Sequence, residues 1–126
     1  MFSLAIDRTH TVLLVEFSDR LQARDFEDVD RLTAPLAETE ALEKVVVDLR
    51  QVTEIEVPVE QLMERAGRAP ILPGRPMVFV VDAGSVLGFS RQYTAHRRLA
   101  GHDHIPIVSS LEAAWSLLGI AAPTFR

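Results

Sequence analysis

Two uninterrupted apolar runs constrain this chain more than any other feature: Val45-Val46-Val47, continued by Asp48-Leu49, and Met77-Val78-Phe79-Val80-Val81. A half-buried strand alternates apolar and polar residues, whereas a run without alternation is expected when both faces of the strand are covered. Between the runs lies one helical pattern. Pro58 suits its first turn, and Val59, Leu62, Met63 and Ala66 form its apolar stripe. Gly67, Pro70, Pro73, Gly74 and Pro76 then punctuate the connection to the second run. Strand, helix, strand in this order implies a right-handed crossover and parallel pairing.

The flanking segments extend the pattern. Phe2, Leu4 and Ile6 alternate with Ser3, Ala5 and Asp7, Asp7-Arg8-Thr9-His10 reads as a turn, and Thr11 to Phe17 is the natural hairpin partner. A long helix follows, with Phe26, Val29, Leu32 or Thr33, and Leu36 on its inner face. Gln22 precedes it, Asp25 lies where the helix dipole favours an acid, and Pro35 is expected to kink it or end its regular bonding early. After the second apolar run, Asp82-Ala83-Gly84 turns the chain into a helix whose expected inner face is Val86, Phe89, Tyr93 and Leu99 or Ala100. Ile105-Pro106-Ile107-Val108 reads as a last strand, placed at an edge by its proline. Ser109 and Glu112 fit a capping box, Leu111, Ala114, Trp115 and Leu118 make the final stripe, and Gly119 ends the helix.

The resulting order is β-β-α-β-α-β-α-β-α: an α/β protein with a mostly parallel sheet, an antiparallel first strand and four helices. Residues 1–126 read as one domain, long enough to bury a continuous core. The absence of cysteine excludes disulfides, thiolate nucleophiles and cysteine-ligated zinc or iron–sulfur centres. A net charge of −5 argues against nucleic acid, whose binding needs a dense basic surface. The N-terminal residues lack the basic start and long apolar centre of a secretory signal, and no apolar run is long enough to span a bilayer, so a cytoplasmic location is expected.

Three stretches resemble a known family. They are Leu21-Gln22-Ala23-Arg24-Asp25-Phe26 entering the first helix, Val45 to Thr53 leading to the second, and Val108 to Gly119 at the end. Together with the opening hairpin they resemble the STAS-like (SpoIIAA-like) superfamily over nearly the whole chain, and within it the uncharacterised bacterial STAS-like proteins. The resemblance implies a STAS/SpoIIAA-like fold and a regulatory, protein-binding role like that of anti-sigma factor antagonists. Those antagonists carry Asp-Ser-Ser or Asp-Ser-Thr-Gly after the third strand, where phosphorylation of a serine blocks partner binding. The matching positions here are Glu56, Val57, Pro58 and Val59, so no hydroxyl is present there.

Candidate site residues follow from strand ends, since ligands in open α/β sheets bind outside the carboxyl ends of strands. One group is Glu56, Val57 and Pro58, in a loop expected over 54–60, where a solvated acidic face is the simpler reading. The other is Ser85, Phe89, Arg91 and Tyr93 after the second apolar run. There, neither a Gly-Lys-Ser/Thr phosphate loop nor a Gly-x-Ser-x-Gly elbow is present, and Ser85 as a helix N-cap is the simpler reading. His102 and His104 form a two-histidine pair without a positioned third ligand, and a polar loop is the simpler reading. No catalytic motif, metal site or cofactor is expected, so the chain reads as a non-enzymatic protein-interaction or regulatory module. The alternative is binding of a small apolar or acyl ligand. If the helices gather on one face of the sheet, the other is expected to be covered by a pocket, a ligand or a second subunit, the last giving a homodimer.

Overall fold

A computed structural model describes residues 1–68, 74–82, 84–121 and 123–125, with the side chain of Ser85 also left aside. The elements are β1 (Phe2–Asp7), β2 (Val12–Gln22), α1 (Ala23–Thr39), β3 (Lys44–Glu56), α2 (Val59–Gly67), β4 (Met77–Val80), α3 (Ser85–Leu99), β5 (Ile107–Val108) and α4 (Leu111–Leu118). The strands form one sheet in the order β1-β2-β3-β4-β5. β1 pairs with β2 antiparallel, and all the other pairings are parallel. Both apolar runs therefore occupy interior strands, and the proline-bearing strand lies at the edge.

β2 and β3 run further than their apolar stretches. Past Phe17 and Leu49 they continue side by side to Gln22 and Glu56, with irregularities between Glu16 and Ser18 and between Asp19 and Arg20. β4 pairs only with Val45–Asp48, so this extension is a two-stranded ribbon projecting past the sheet. Residues 54–56 thus belong to a strand and not to the expected loop.

Side chains alternate across the sheet, as the pleat requires. Leu13, Val15, Phe17, Val45, Val47, Phe79 and Val81 point to the face carrying α1 and α3. Val12, Leu14, Val46, Val78 and Val80 point to the other, under Ala114 of α4 and Ile120. Trp115 and Phe125 extend that cover, with their ring centroids 5.3 Å apart. The helices are on both faces, so the sheet has its own cover without a second subunit.

Several helix details differ from expectation. Pro35 does not stop α1, which continues to Thr39. Its ring is exposed on the solvent side, and Thr33 rather than Leu32 is buried, its hydroxyl donating to the Val29 carbonyl at 2.7 Å. In α2, Leu62 and Ala66 are buried, whereas Val59 and Met63 are about half exposed (52% and 50%), so half of the expected stripe faces outwards. In α3, Leu99 is 85% exposed and Ala100 is exposed as well. Ser90, Thr94 and Arg97 are buried beside Val86 instead. The α4 N-cap is Ser110, not Ser109: its Oγ accepts the Ala113 N–H at 3.1 Å. Gly119 closes that helix in the left-handed region at φ 71°, where a glycine is under no strain.

Candidate functional site

Between the sheet and α1, α2 and α3 lies a cavity of about 250 Å³. Val15, Phe17, Val47, Leu49 and Phe79 form its floor. Phe26 and Val29 of α1 stand on one side, and Phe89 and Tyr93 of α3 on the other. The rings are held edge-on or tilted, with centroids 5.7 Å apart for Phe17 and Phe26 and 5.8 Å for Phe79 and Tyr93. The volume lies just under the usual range of ligand pockets, about 300–1,000 Å³.

The polar part of the wall is unusual in sign. Four charged side chains reach it, Asp30, Arg65, Arg68 and Arg97, in a chain that is acidic overall. Arg65 of α2 forks onto Asp30 of α1, with N–O distances of 2.8 and 2.9 Å, and its guanidinium lies 4.6 Å from the centroid of the Phe26 ring. Burial disfavours this cation, but the hydrogen bonds to Asp30 and the influence of Tyr93 outweigh it and hold the Arg65 pKa above its usual value. The pair pins α2 to α1 beside the cavity. Arg68, just past α2, is paired with Glu64.

Arg97 is different. It is only 5% exposed, it lines the cavity from α3, and its Nε is buried without a hydrogen-bond partner. Among the described residues no carboxylate forms an ion pair with it. Buried cations are normally paired, because the interior solvates charge poorly. Arg97 and Met77 also border a second hollow, which carries His102, Asp103 and His104.

The residues expected at a site are dispersed. Phe89 and Tyr93 both line the cavity. Arg91 is exposed and borders a separate hollow with Asp82 and His104. Glu56 ends β3 on the projecting ribbon, accepting from Gln22 Nε2 at 2.9 Å with Arg20 Nε at 3.5 Å. Val57 packs partly against the core, and Pro58 is the exposed N-cap of α2. At α3 the N-cap is Gly84, at φ 81° and ψ −152°, a conformation essentially reserved for glycine, and Ser85 is the first helical residue. His102 turns its Nε2 to the Gly67 carbonyl at 3.2 Å, tying the segment before β5 to the end of α2. Among the described residues no group of three histidine or acidic side chains is placed to hold a metal ion. No described helix is long and apolar enough to cross a membrane.

Arg97 and the Arg65–Asp30 pair were not expected from the sequence. The available signal was the spacing Val86, Ser90, Thr94, Arg97, which places four side chains on one helical face. Three of them are polar, so a search for apolar stripes passes over them.

The same architecture occurs in a solved structure, that of the anti-sigma factor antagonist SpoIIAA in its unphosphorylated form. The two superpose with a TM-score of 0.62 over 95% of this chain and 100% of that one, at 11% identity. The chain has the SpoIIAA-like, STAS fold. At that identity the likeness is one of fold. No family model matches the sequence, and no curated protein matches it. In this chain, Glu56 to Val59 span the end of β3 and the first turn of α2.

Proposed function

We propose that this STAS-fold chain is a non-enzymatic binding module whose cavity takes up a small apolar or acyl ligand. The cavity itself carries this reading. Protein interiors are close-packed, with few voids larger than a water molecule. A space of about 250 Å³ floored by Val15, Phe17, Val47 and Phe79 is suited to hydrocarbon at that floor. Phe89 and Tyr93 are then ligand contacts. Native mass spectrometry of freshly purified protein, before and after denaturation, tests this. The expected result is a bound molecule of defined mass that leaves on denaturation and is absent from Val47→Phe, which fills the floor. A folded Val47→Phe that carries the same molecule would refute the cavity as its site.

A second reading has its own support. Val59 and Met63 stand one turn apart on the outer face of α2, about half exposed, next to Pro58 and Glu56. The fold shared with an anti-sigma factor antagonist makes this edge of the molecule the natural place for a protein partner, with Ser85 and Arg91 of α3 as further candidates. The expected result is that Val59→Glu with Met63→Glu loses a partner recovered by the native chain while ligand uptake is unchanged. Recovery of that partner by the double variant would exclude the α2 face. A homodimer belongs to this reading, and the mass of the native particle reports it directly.

A further inference from the structure

We infer that the cavity ligand is an amphiphilic carboxylate whose head is bound by Arg97 and whose apolar tail lies over Val47 and Phe79. This rests on the cavity being a ligand site and adds the chemistry of its head group. Of the three guanidinium groups on the wall, two are already committed, Arg65 to Asp30 and Arg68 to Glu64. Among the described residues Arg97 alone has no acid, although it is the least exposed of the three at 5%. Asp103, on the neighbouring hollow, is near in the fold but forms no ion pair with it. A buried cation without a counter-ion destabilises the fold. Its presence is accounted for if the counter-ion arrives with the ligand.

The rest of the wall defines the ligand class. A guanidinium presents its N–H groups in a planar fork that matches a carboxylate in a bidentate pair. One uncommitted cation calls for one negative charge. Apart from the Arg65–Asp30 pair and Arg68, the rest of the lining is mainly aliphatic and aromatic, and the Tyr93 hydroxyl is already drawn to Arg65. A cavity of about 250 Å³ lies near the lower end of ligand pockets, so the tail it takes is of modest length. A medium-chain fatty acid or a monocyclic aryl acid fits these terms, and a highly charged nucleotide does not.

The test compares octanoate with 1-octanol, which has the same tail without the charge, by isothermal titration calorimetry on the full chain at neutral pH. Octanoate is expected to bind at least about ten-fold more tightly, the scale of one charge-assisted bidentate contact. In Arg97→Met the two ligands should bind alike, with the 1-octanol affinity unchanged. Arg97→Lys, which keeps the charge and loses the fork, should retain part of the preference and serves if the methionine variant does not fold. Equal binding of octanoate and 1-octanol to the native chain overturns the head-group assignment and leaves the apolar site standing. A preference that survives in Arg97→Met moves the head group elsewhere and equally overturns it. Acetate binding as tightly as octanoate would mean a simple anion site on Arg97. Binding of neither octanoate nor 1-octanol would remove the ligand site itself.

Discussion

The two faces of this sheet are built from alternate residues of the same strands, yet they are finished in opposite ways. Under α4, Val12, Leu14, Val46, Val78 and Val80 meet Ala114, Ile120 and flanking aromatic rings, and every one of those strand residues is at most 5% exposed. Under α1, α2 and α3 the same strands present Val15, Val47 and Phe79 to a cavity whose wall carries three arginines. Three helices on one side enclose less completely than one short helix and a tail on the other. Length of cover does not decide the packing. The chemistry of the inner helix faces does: α4 offers Ala114, Trp115 and two leucines, whereas α3 buries Ser90, Thr94 and Arg97 beside its apolar residues. A polar stripe holds a helix off an apolar sheet unless something fills the gap.

The largest expected effect is on the packed face. Leu14→Ala removes a side chain from a layer with no room to collapse, and should lower stability by about 2–5 kcal/mol, read from urea unfolding. A loss below about 1 kcal/mol would mean that the α4 face is looser than its burial implies. The sharpest comparison uses neighbouring residues. Val46→Phe overpacks the α4 face and should cost about 1–3 kcal/mol. Val47→Phe, one residue further along and on the opposite face, enters the cavity and should be neutral or add about 0.5–2 kcal/mol. Equal destabilisation by both would abolish the distinction between the faces. On the outer surface, Val59→Glu with Met63→Glu should change stability by no more than about 0.5 kcal/mol, because neither side chain contributes much to the core.

Much of this contrast was hidden in the sequence, for identifiable reasons. Strand order, parallel pairing and the edge position of Ile107–Val108 follow from apolar runs, a helical period and one proline, all local signals. The ribbon formed by 18–22 and 51–56 gives no such signal, because its residues pair by backbone with mostly polar side chains facing water. Its length has to be seen in the register. The inner face of α3 misled for the converse reason: Phe89 and Tyr93 are only half-buried because they border a space, while Ser90 and Arg97 are buried. Of the seven candidate residues, Phe89 and Tyr93 reach the cavity, and Glu56, Pro58 and Arg91 lie on other parts of the surface. A cavity depends on the distance between elements far apart in sequence, and no spacing within one helix reports it.

The most local expected effect separates the faces by pH. Asp7, at the end of β1, ties down the C-terminal segment: its Oδ2 accepts the Thr124 N–H at 2.9 Å and the His10 ring Nδ1 at 2.8 Å, and its Oδ1 accepts the His10 N–H at 3.0 Å. Burial alone would push this carboxyl up. The His10 ring and the two backbone N–H groups outweigh it and hold the carboxyl at about 2, below the usual 3.8. A depressed carboxyl stabilises the fold above its unfolded value, and that contribution disappears as pH falls from about 4 through 2. The loss should begin where Asp7 acts, at the tail that covers the α4 face. Trp115 packs on Phe125 in that tail and is the only tryptophan in the chain, so its fluorescence reports this region alone. The emission should shift to the red between pH 4 and 2 before the far-ultraviolet circular dichroism is lost, and Asp7→Asn should show the shifted emission already at neutral pH. Trp115 emission that stays constant until the whole fold melts would mean that the tail and the sheet form one cooperative unit, and that the two faces differ in packing without differing in local stability.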